Sequence, residues 1–405
     1  MNTLYILVME FIRSQYATIL SRIAEPRATI QVLVGPRQVG KSTLMDQVLR
    51  AVHIPYTLVK ADAVDKNDGE WIHRVWESAR GTMRLNHEQE HLLVIDEIQK
   101  ITQWSEFVKL EWDTDTSNQT NIKVVLLGSS RLLLTHGLTE SLAGRYELIR
   151  MNHWSLQEMQ TAFGFSLEQY IYYGGYPGAA KYVNDPARWK RYIKDSIVKP
   201  AIEKDVILTS NIYKPALMKQ LFIIGCKYSA ELLALTKVAG QLQDAGNATT
   251  LASYLNILNE CQLLCGIQKY AQDDARKNNS VPKFQVYNNA LLSAYQRHSF
   301  EQVLLNPMLW GRWVESAVGA QLISYAEEFD YDVFYWRNRD DEVDFIVLTA
   351  EGCVAFEVKS GRRKMNSGIP VFSKSFHPIH TYIIGTGGIS FEEFLIGNVQ
   401  DLLYM

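Results

Sequence analysis

Apolar residues along this chain follow two rhythms, and the change between them divides it. Up to about Met151, short apolar runs of strand length alternate with helical stretches, the signature of an α/β layer built on a parallel sheet. The runs lie near 29–34, 56–60, 92–96, 123–127 and 146–151. Thr29 to Val34 reads as a buried strand and Lys41 to Arg50 as a helix, whereas the polar segment Asp113 to Asn121 reads as an exposed loop. After Asn152 the pattern turns helical, broken at Gly174-Gly175-Tyr176-Pro177, which reads as a turn. Three short amphipathic stretches follow, Lys214 to Cys226, Ala230 to Leu242 and Thr250 to Asn259, and then the strand-like Leu263 to Lys269. That order is similar to a winged helix-turn-helix, with the polar Asp273 to Pro282 as wing or linker. From Lys283 strands return in a mixed α/β module. The predicted organisation is an α/β core over 1–152, a helical segment over 153–212, a winged-helix-like segment over 213–282 and a second α/β module over 283–405.

The turn between the first strand and the first helix carries chemistry. Gly35-Pro36-Arg37-Gln38-Val39-Gly40-Lys41-Ser42 fits the phosphate-binding pattern G-x-x-x-x-G-K-[ST] at every fixed position, with Thr43 next on the helix. The two glycines let backbone N–H groups wrap around phosphate oxygens, at a helix N-terminus that favours an anion. Lys41 then reaches the terminal phosphates of a nucleotide, read as ATP, and the Ser42 hydroxyl holds Mg²⁺. The apolar run His91 to Ile95 ends in Asp96-Glu97. Asp96 at that strand end is predicted to complete the Mg²⁺ shell, and Glu97 to polarise the attacking water. The run Lys123 to Leu127 ends in Gly128-Ser129-Ser130-Arg131, so Ser129 or Ser130 would sense the γ-phosphate at the same sheet edge, a plain strand-to-helix turn being the alternative.

A second cluster is predicted near the C-terminus. Glu342-Val343-Asp344-Phe345-Ile346-Val347-Leu348 and Val354-Ala355-Phe356-Glu357-Val358-Lys359 flank the turn-like Thr349-Ala350-Glu351-Gly352. A hairpin centred there sets Asp344 opposite Glu357 and Glu342 opposite Lys359, and period-two alternation puts all four on one face. Two opposed carboxylates followed by a lysine suit an Mg²⁺ site for phosphodiester hydrolysis, with Glu315 on the helix Trp310 to Tyr325 as a third carboxylate. The alternative is a Glu342–Lys359 ion pair on a solvated face.

Composition narrows the setting. The formal net charge is −3, so the chain as a whole lacks the basic signature of a nucleic-acid binder and DNA binding needs a local patch. The recognition-helix candidate Thr250 to Asn259 has no Lys or Arg and offers only Asn256 and Asn259 as amides. Lys269, Arg276 and Lys277 near the wing would meet phosphates; protein contact is the other reading of this segment. No run reaches the length of a membrane span, and Met1 to Ile12 is apolar without a cleavage signature. Cys226, Cys261, Cys265 and Cys353 show no paired C-x-x-C spacing, which suits a reducing cytoplasm.

Across nearly its whole length the chain resembles bacterial and archaeal P-loop ATPases of the AAA type whose C-terminal domain, of unknown function, is similar to restriction-endonuclease-like PD-(D/E)XK folds. The resemblance rests on Gly35 to Ser42, Ile95-Asp96-Glu97-Ile98-Gln99, Gly128-Ser129-Ser130, Glu140-Ser141-Leu142-Ala143-Gly144-Arg145, the Gly-Gly-Tyr-Pro turn, and Glu342-Val343-Asp344-Phe345 with Phe356-Glu357-Val358-Lys359. It implies an ATPase core, a helical lid over 153–212, a winged helix and a nuclease-like end. It also implies Arg145 as an arginine acting on the γ-phosphate, in cis or offered to a neighbouring subunit of a homo-oligomer; an ion pair is the other reading. Asn288 departs from the resemblance, standing where similar proteins carry an aspartate. Two functions stay open at this point: an ATPase controlling a DNA-directed, Mg²⁺-dependent nuclease-like module, and a nucleotide-dependent switch with a non-catalytic one.

Overall fold

Strand β1 (Ile30–Val34) is buried at all five positions because a strand pairs with it on either side and side chains cover both faces. A continuous apolar run is what such a strand requires. The other strands of its sheet are β2 (Tyr56–Lys60), β3 (His91–Asp96), β4 (Ile122–Gly128) and β5 (Tyr146–Arg150), all parallel, in the order β2-β3-β4-β1-β5. The inner strands β3 and β4 are buried throughout, and the edge strands β2 and β5 are half-exposed. Helix α1 (Gln15–Ala24) precedes β1 and α2 (Lys41–Ala51) follows it; α3 (Glu70–Asn86) and α4 (Trp104–Ser117) supply Trp76, Trp104 and Trp112 to the core that holds Ile30, Val32, Ile95 and Leu126.

The structure is a computed structural model, and it describes residues 11–128, 138, 141–203, 212, 214–242, 247–271, 280–361 and 368–404. Two compact units divide between Met151 and Asn152. One expectation for the first unit is corrected. The polar stretch Asp113 to Asn121 is a loop only from Asn118; α4 runs on to Ser117, with Asp115 buried. Asp115 accepts from the Trp76 indole at 2.8 Å and from Arg80 Nε at 2.8 Å, while Arg80 also reaches Glu111 at 2.6 Å. A buried charge is tolerable when paired and hydrogen-bonded in this way, so Asp115 faces inward while Thr116 and Ser117 stay exposed.

The described residues of the second unit hold the strands β6 (Glu231–Leu232), β7 (Leu264–Lys269), β8 (Lys283–Val286), β9 (Asp332–Asn338), β10 (Asp341–Leu348), β11 (Cys353–Lys359) and β12 (His380–Gly385). Together they form one sheet in the order β12-β11-β10-β9-β7-β8-β6. β8 lies between β7 and β6, and β7 pairs in parallel with β9. The position 282/283, where the sequence suggested a boundary, therefore falls inside one sheet. Helix α5 (Pro307–Tyr325) precedes the antiparallel meander β9-β10-β11; α6 (Ile369–Phe376) then returns the chain to β12, parallel to β11. The hairpin register is the predicted one, with Phe345 opposite Phe356 and Leu348 opposite Cys353. On its other side β10 slips by one residue against β9 between Val343 and Ile346, a bulge centred on Asp344 and Phe345. Val343 and Ile346 consequently share one apolar cluster with Phe372 of α6, and strict alternation ends there.

Candidate functional site

Each glycine of the loop after β1 has its own reason. A Cβ on Gly35 would lie 2.2 Å from the Met151 carbonyl oxygen, so only glycine fits beside β5. Gly40 caps α2 at φ +94, a left-handed conformation that glycine adopts without strain. The Lys41 ammonium donates to the carbonyls of Gly35 and Pro36, each at 2.7 Å, and its side chain is buried along the loop. Arg13 supports the loop from outside, its Nη1 donating to the Val39 carbonyl at 3.2 Å. Nothing in the local sequence pattern pointed to Arg13, because the contact spans 26 residues.

Because β1 and β3 run parallel, the loop and Asp96 emerge at the same sheet edge. The Ser42 hydroxyl donates to Asp96 Oδ2 at 2.8 Å. Burial raises the Asp96 carboxyl above its ordinary value, the Ser42 bond opposes this, and neighbouring Glu97 adds to it. Glu97 sits in the left-handed region at φ 58, and Gln99 Nε2 donates to its Oε2 at 2.6 Å. Gln99 thus orients the residue expected to polarise water, a role that sequence reasoning did not assign. Ser42 and Thr43 are exposed on the first turn of α2. The donor set fits Mg²⁺: a hydroxyl and a carboxylate, both hard oxygen ligands and already within hydrogen-bond distance, suit an ion that takes one or two protein ligands beside phosphates and waters. Ser129 and Ser130 lie outside the described residues.

Arg145 requires a correction. It precedes β5, and its carbonyl accepts from the Ile30 N–H at 2.8 Å, which puts it at the amino-terminal edge of the sheet. The loop leaves the carboxyl-terminal edge, about 16 Å away for a strand of this length at ~3.3 Å per residue. Action in cis on a nucleotide in this chain's own loop is excluded by that separation. The guanidinium instead pairs bidentately with Asp113, at 2.8 and 3.1 Å, and this carboxylate raises its pKa further.

The C-terminal cluster assembles, with an unexpected member. Asp344, on the bulge, accepts from the Val358 N–H at 2.7 Å through Oδ2. Lys359 Nζ pairs with Glu357 at 2.8 Å, and Glu342 faces Arg337 at 3.7 Å, so the predicted Glu342–Lys359 pair is not formed. Glu315 and Asp344 do approach each other, but the ammonium of Lys283 from β8 is bonded to Glu315 and lies 3.8 Å from Asp344 Oδ1. Burial and Glu315 push the Asp344 carboxyl up to about 7. Among the described residues no three His, Cys, Asp or Glu side chains converge as a metal-binding group. The expected metal set of Asp344, Glu357 and Glu315 does not fit a divalent ion, because ammonium groups already take those carboxylates.

Asn288 has a structural task. Its Oδ1 accepts from the N–H groups of Gly175 and Ala290, at 3.2 and 3.1 Å. A Cβ on Gly174 (φ +69) would meet that oxygen at 2.0 Å, so the Gly-Gly turn and Asn288 fit only together.

Residues 27–160, which hold the loop Gly35 to Ser42, match the family model of an AAA domain. Residues 164–302 and 310–394 match models of two domains of unknown function, DUF8612 and DUF4143. The chain is similar to an uncharacterized protein of Mycobacterium tuberculosis, 24% identical over 345 residues that cover 84% of this chain and 72% of the relative. It is also similar to an uncharacterized protein of Haemophilus influenzae, 23% identical over 357 residues, 81% of this chain and 83% of that one. Among solved structures, the Walker-type ATPase paby2304 of Pyrococcus abyssi aligns with a TM-score of 0.48 at 16% identity, over 71% of this chain and 96% of the other. No helix among the described residues is long and apolar enough to cross a membrane.

Proposed function

We propose that this chain binds ATP with Mg²⁺ in the loop Gly35 to Thr43 and hydrolyses it. The observation that carries the reading is the Ser42–Asp96 hydrogen bond at 2.8 Å, which joins the helix after β1 to the end of β3. On nucleotide binding the Lys41 ammonium exchanges its two carbonyl partners for β- and γ-phosphate oxygens, and the loop N–H groups take the remaining charge. Ser42 and Asp96 would hold the Mg²⁺, which when bound neutralises charge developing on the phosphates. Glu97, oriented by Gln99, directs a water at the γ-phosphorus; the new P–O bond forms as the bond to the β-phosphate oxygen breaks, giving ADP and phosphate. Arg145 acts, on this reading, on the nucleotide of a neighbouring copy. The experiment is steady-state ATP turnover with Lys41→Ala: binding and turnover should both be lost. Equal turnover by the two proteins would sink the assignment.

For the second unit, the order helix, three-strand meander, helix, parallel strand supports a restriction-endonuclease-like module. The helices over 215–260 with β6, β7 and β8 support a winged helix, which this reading directs at DNA. Lys283 favours the second reading of its role, in which ATP turnover switches a non-catalytic nuclease-like module. Plasmid integrity under ATP and Mg²⁺ separates the two, since only the nuclease reading expects cleavage that Glu357→Ala removes.

A further inference from the structure

Lys283 opens β8 and its side chain is 1% exposed, among the most deeply buried of any cation in the described residues. Its ammonium donates to Glu315 and to the Asp344 carbonyl oxygen at 3.2 Å, lies 3.8 Å from Asp344 Oδ1, and sits 4.7 Å from the centre of the Phe345 ring. An anion, a carbonyl, a second anion and an aromatic face together solvate a charge that has left water. Burial lowers its pKa, but Glu315, Asp344 and Glu342 outweigh this and raise it, so the side chain is charged at neutral pH. Neighbouring cations are engaged elsewhere, Lys359 with Glu357 and Arg337 with Glu342.

We propose that Lys283 is the built-in cation of this cluster: its ammonium takes the place between Glu315 and Asp344 that a divalent ion would need, and the module keeps these carboxylates neutralised without metal. The exclusion is electrostatic. A divalent ion bridging Glu315 and Asp344 would have to displace an ammonium that is 1% exposed, or sit beside it, and a buried charge stripped of its partner is strongly unfavourable. Removing the lysine leaves two half-buried carboxylates facing each other, the arrangement that recruits a hard cation.

The test uses the full chain without nucleotide, with Mn²⁺ as the probe and melting temperature as the readout. Wild type and Asp344→Asn should respond to Mn²⁺ equally, any contribution from Ser42 and Asp96 being common to both. Lys283→Met should melt several degrees lower in chelator and recover with Mn²⁺, and Lys283→Met combined with Asp344→Asn should lose that recovery. Lys283→Arg, which keeps the charge, should stay indifferent to the metal. A Mn²⁺-dependent gain in wild type that Asp344→Asn lacks would overturn the proposal, as would a folded Lys283→Met that gains nothing from Mn²⁺. Should Lys283→Met fail to fold, calorimetric titration of Mn²⁺ into wild type and Asp344→Asn decides: equal binding supports the proposal and a site lost with Asp344 refutes it. With no nucleotide present, the outcome is independent of the ATPase reading.

Discussion

Asp96→Asn separates chemistry from architecture at the nucleotide loop. In the structure Asp96 accepts one hydrogen bond from Ser42, and burial holds its carboxyl above the ordinary value. Asparagine keeps an acceptor oxygen at the same place and removes a charge that folding has partly desolvated. Without ligand the variant should therefore be as stable as wild type or more so. The sign follows from linkage: a carboxyl whose folded pKa is raised loses stability as pH climbs through that value, and the amide has no such loss. The Mg²⁺-dependent part of ATP binding should behave in the opposite way. An interaction with a charged group is worth about 1.5–3 kcal/mol net, which converts to roughly 10- to 150-fold in Kd at ~1.4 kcal/mol per decade. Calorimetric titration of ATP in Mg²⁺ and again in chelator isolates this term, since only the Mg²⁺ arm should weaken. Unchanged Mg²⁺-dependent affinity would refute the role given to Asp96. A ligand-free melting temperature several degrees below wild type would refute the claim that the Ser42 bond survives.

Glu97→Gln should bind ATP close to wild-type affinity yet turn it over at least tenfold more slowly, because it keeps the hydrogen bond from Gln99 and loses the carboxylate; normal turnover would remove Glu97 from the mechanism. Arg145→Ala should leave the melting temperature nearly unchanged, its partner Asp113 being well exposed. If Arg145 serves a neighbouring copy, turnover per chain should rise with protein concentration, and mixing Arg145→Ala with Glu97→Gln should recover activity. Turnover independent of concentration would leave the arginine a structural ion pair. Asp344 supplies a pH signature: with its folded pKa raised from 3.8 to about 7, its stabilising contribution is full below the lower value and is lost as pH rises through the higher one. Asp344→Asn should flatten the decline in melting temperature over that window, and identical pH profiles would contradict the buried position.

What could be read from the sequence was whatever is local. The loop from Gly35 to Ser42 declares itself through spacing, and the strand leading into Asp96-Glu97 through an apolar run that stops at charge. The hairpin register was legible too, because Thr349 to Gly352 fixes which residues oppose each other. Contacts between distant segments were not. The buried Arg80 gives Asp115 a partner 35 residues away, so a stretch that looked like a solvated loop is a helix with its acid inside. Parallel topology puts Arg145 at one sheet edge and the loop at the other, which no feature of Gly144-Arg145 announces.

Lys283 is the sharpest case, since its partners lie 32 and 61 positions further on, at Glu315 and Asp344. Read as a motif, Asp344, Glu357 and Lys359 are a metal site with an accessory lysine. The bulge on β10 and the parallel pairing of β7 with β9 bring a second lysine into the same cluster. Carboxylates crowded into a half-buried cluster need a cation, and the sequence motif does not say which one. Once an ammonium is held between Glu315 and Asp344 by the fold itself, the same carboxylates that suggested hydrolysis become an internal ion pair. Residue types at the right spacing therefore establish what chemistry a site is able to host, while the charge balance of its buried neighbours decides whether it does.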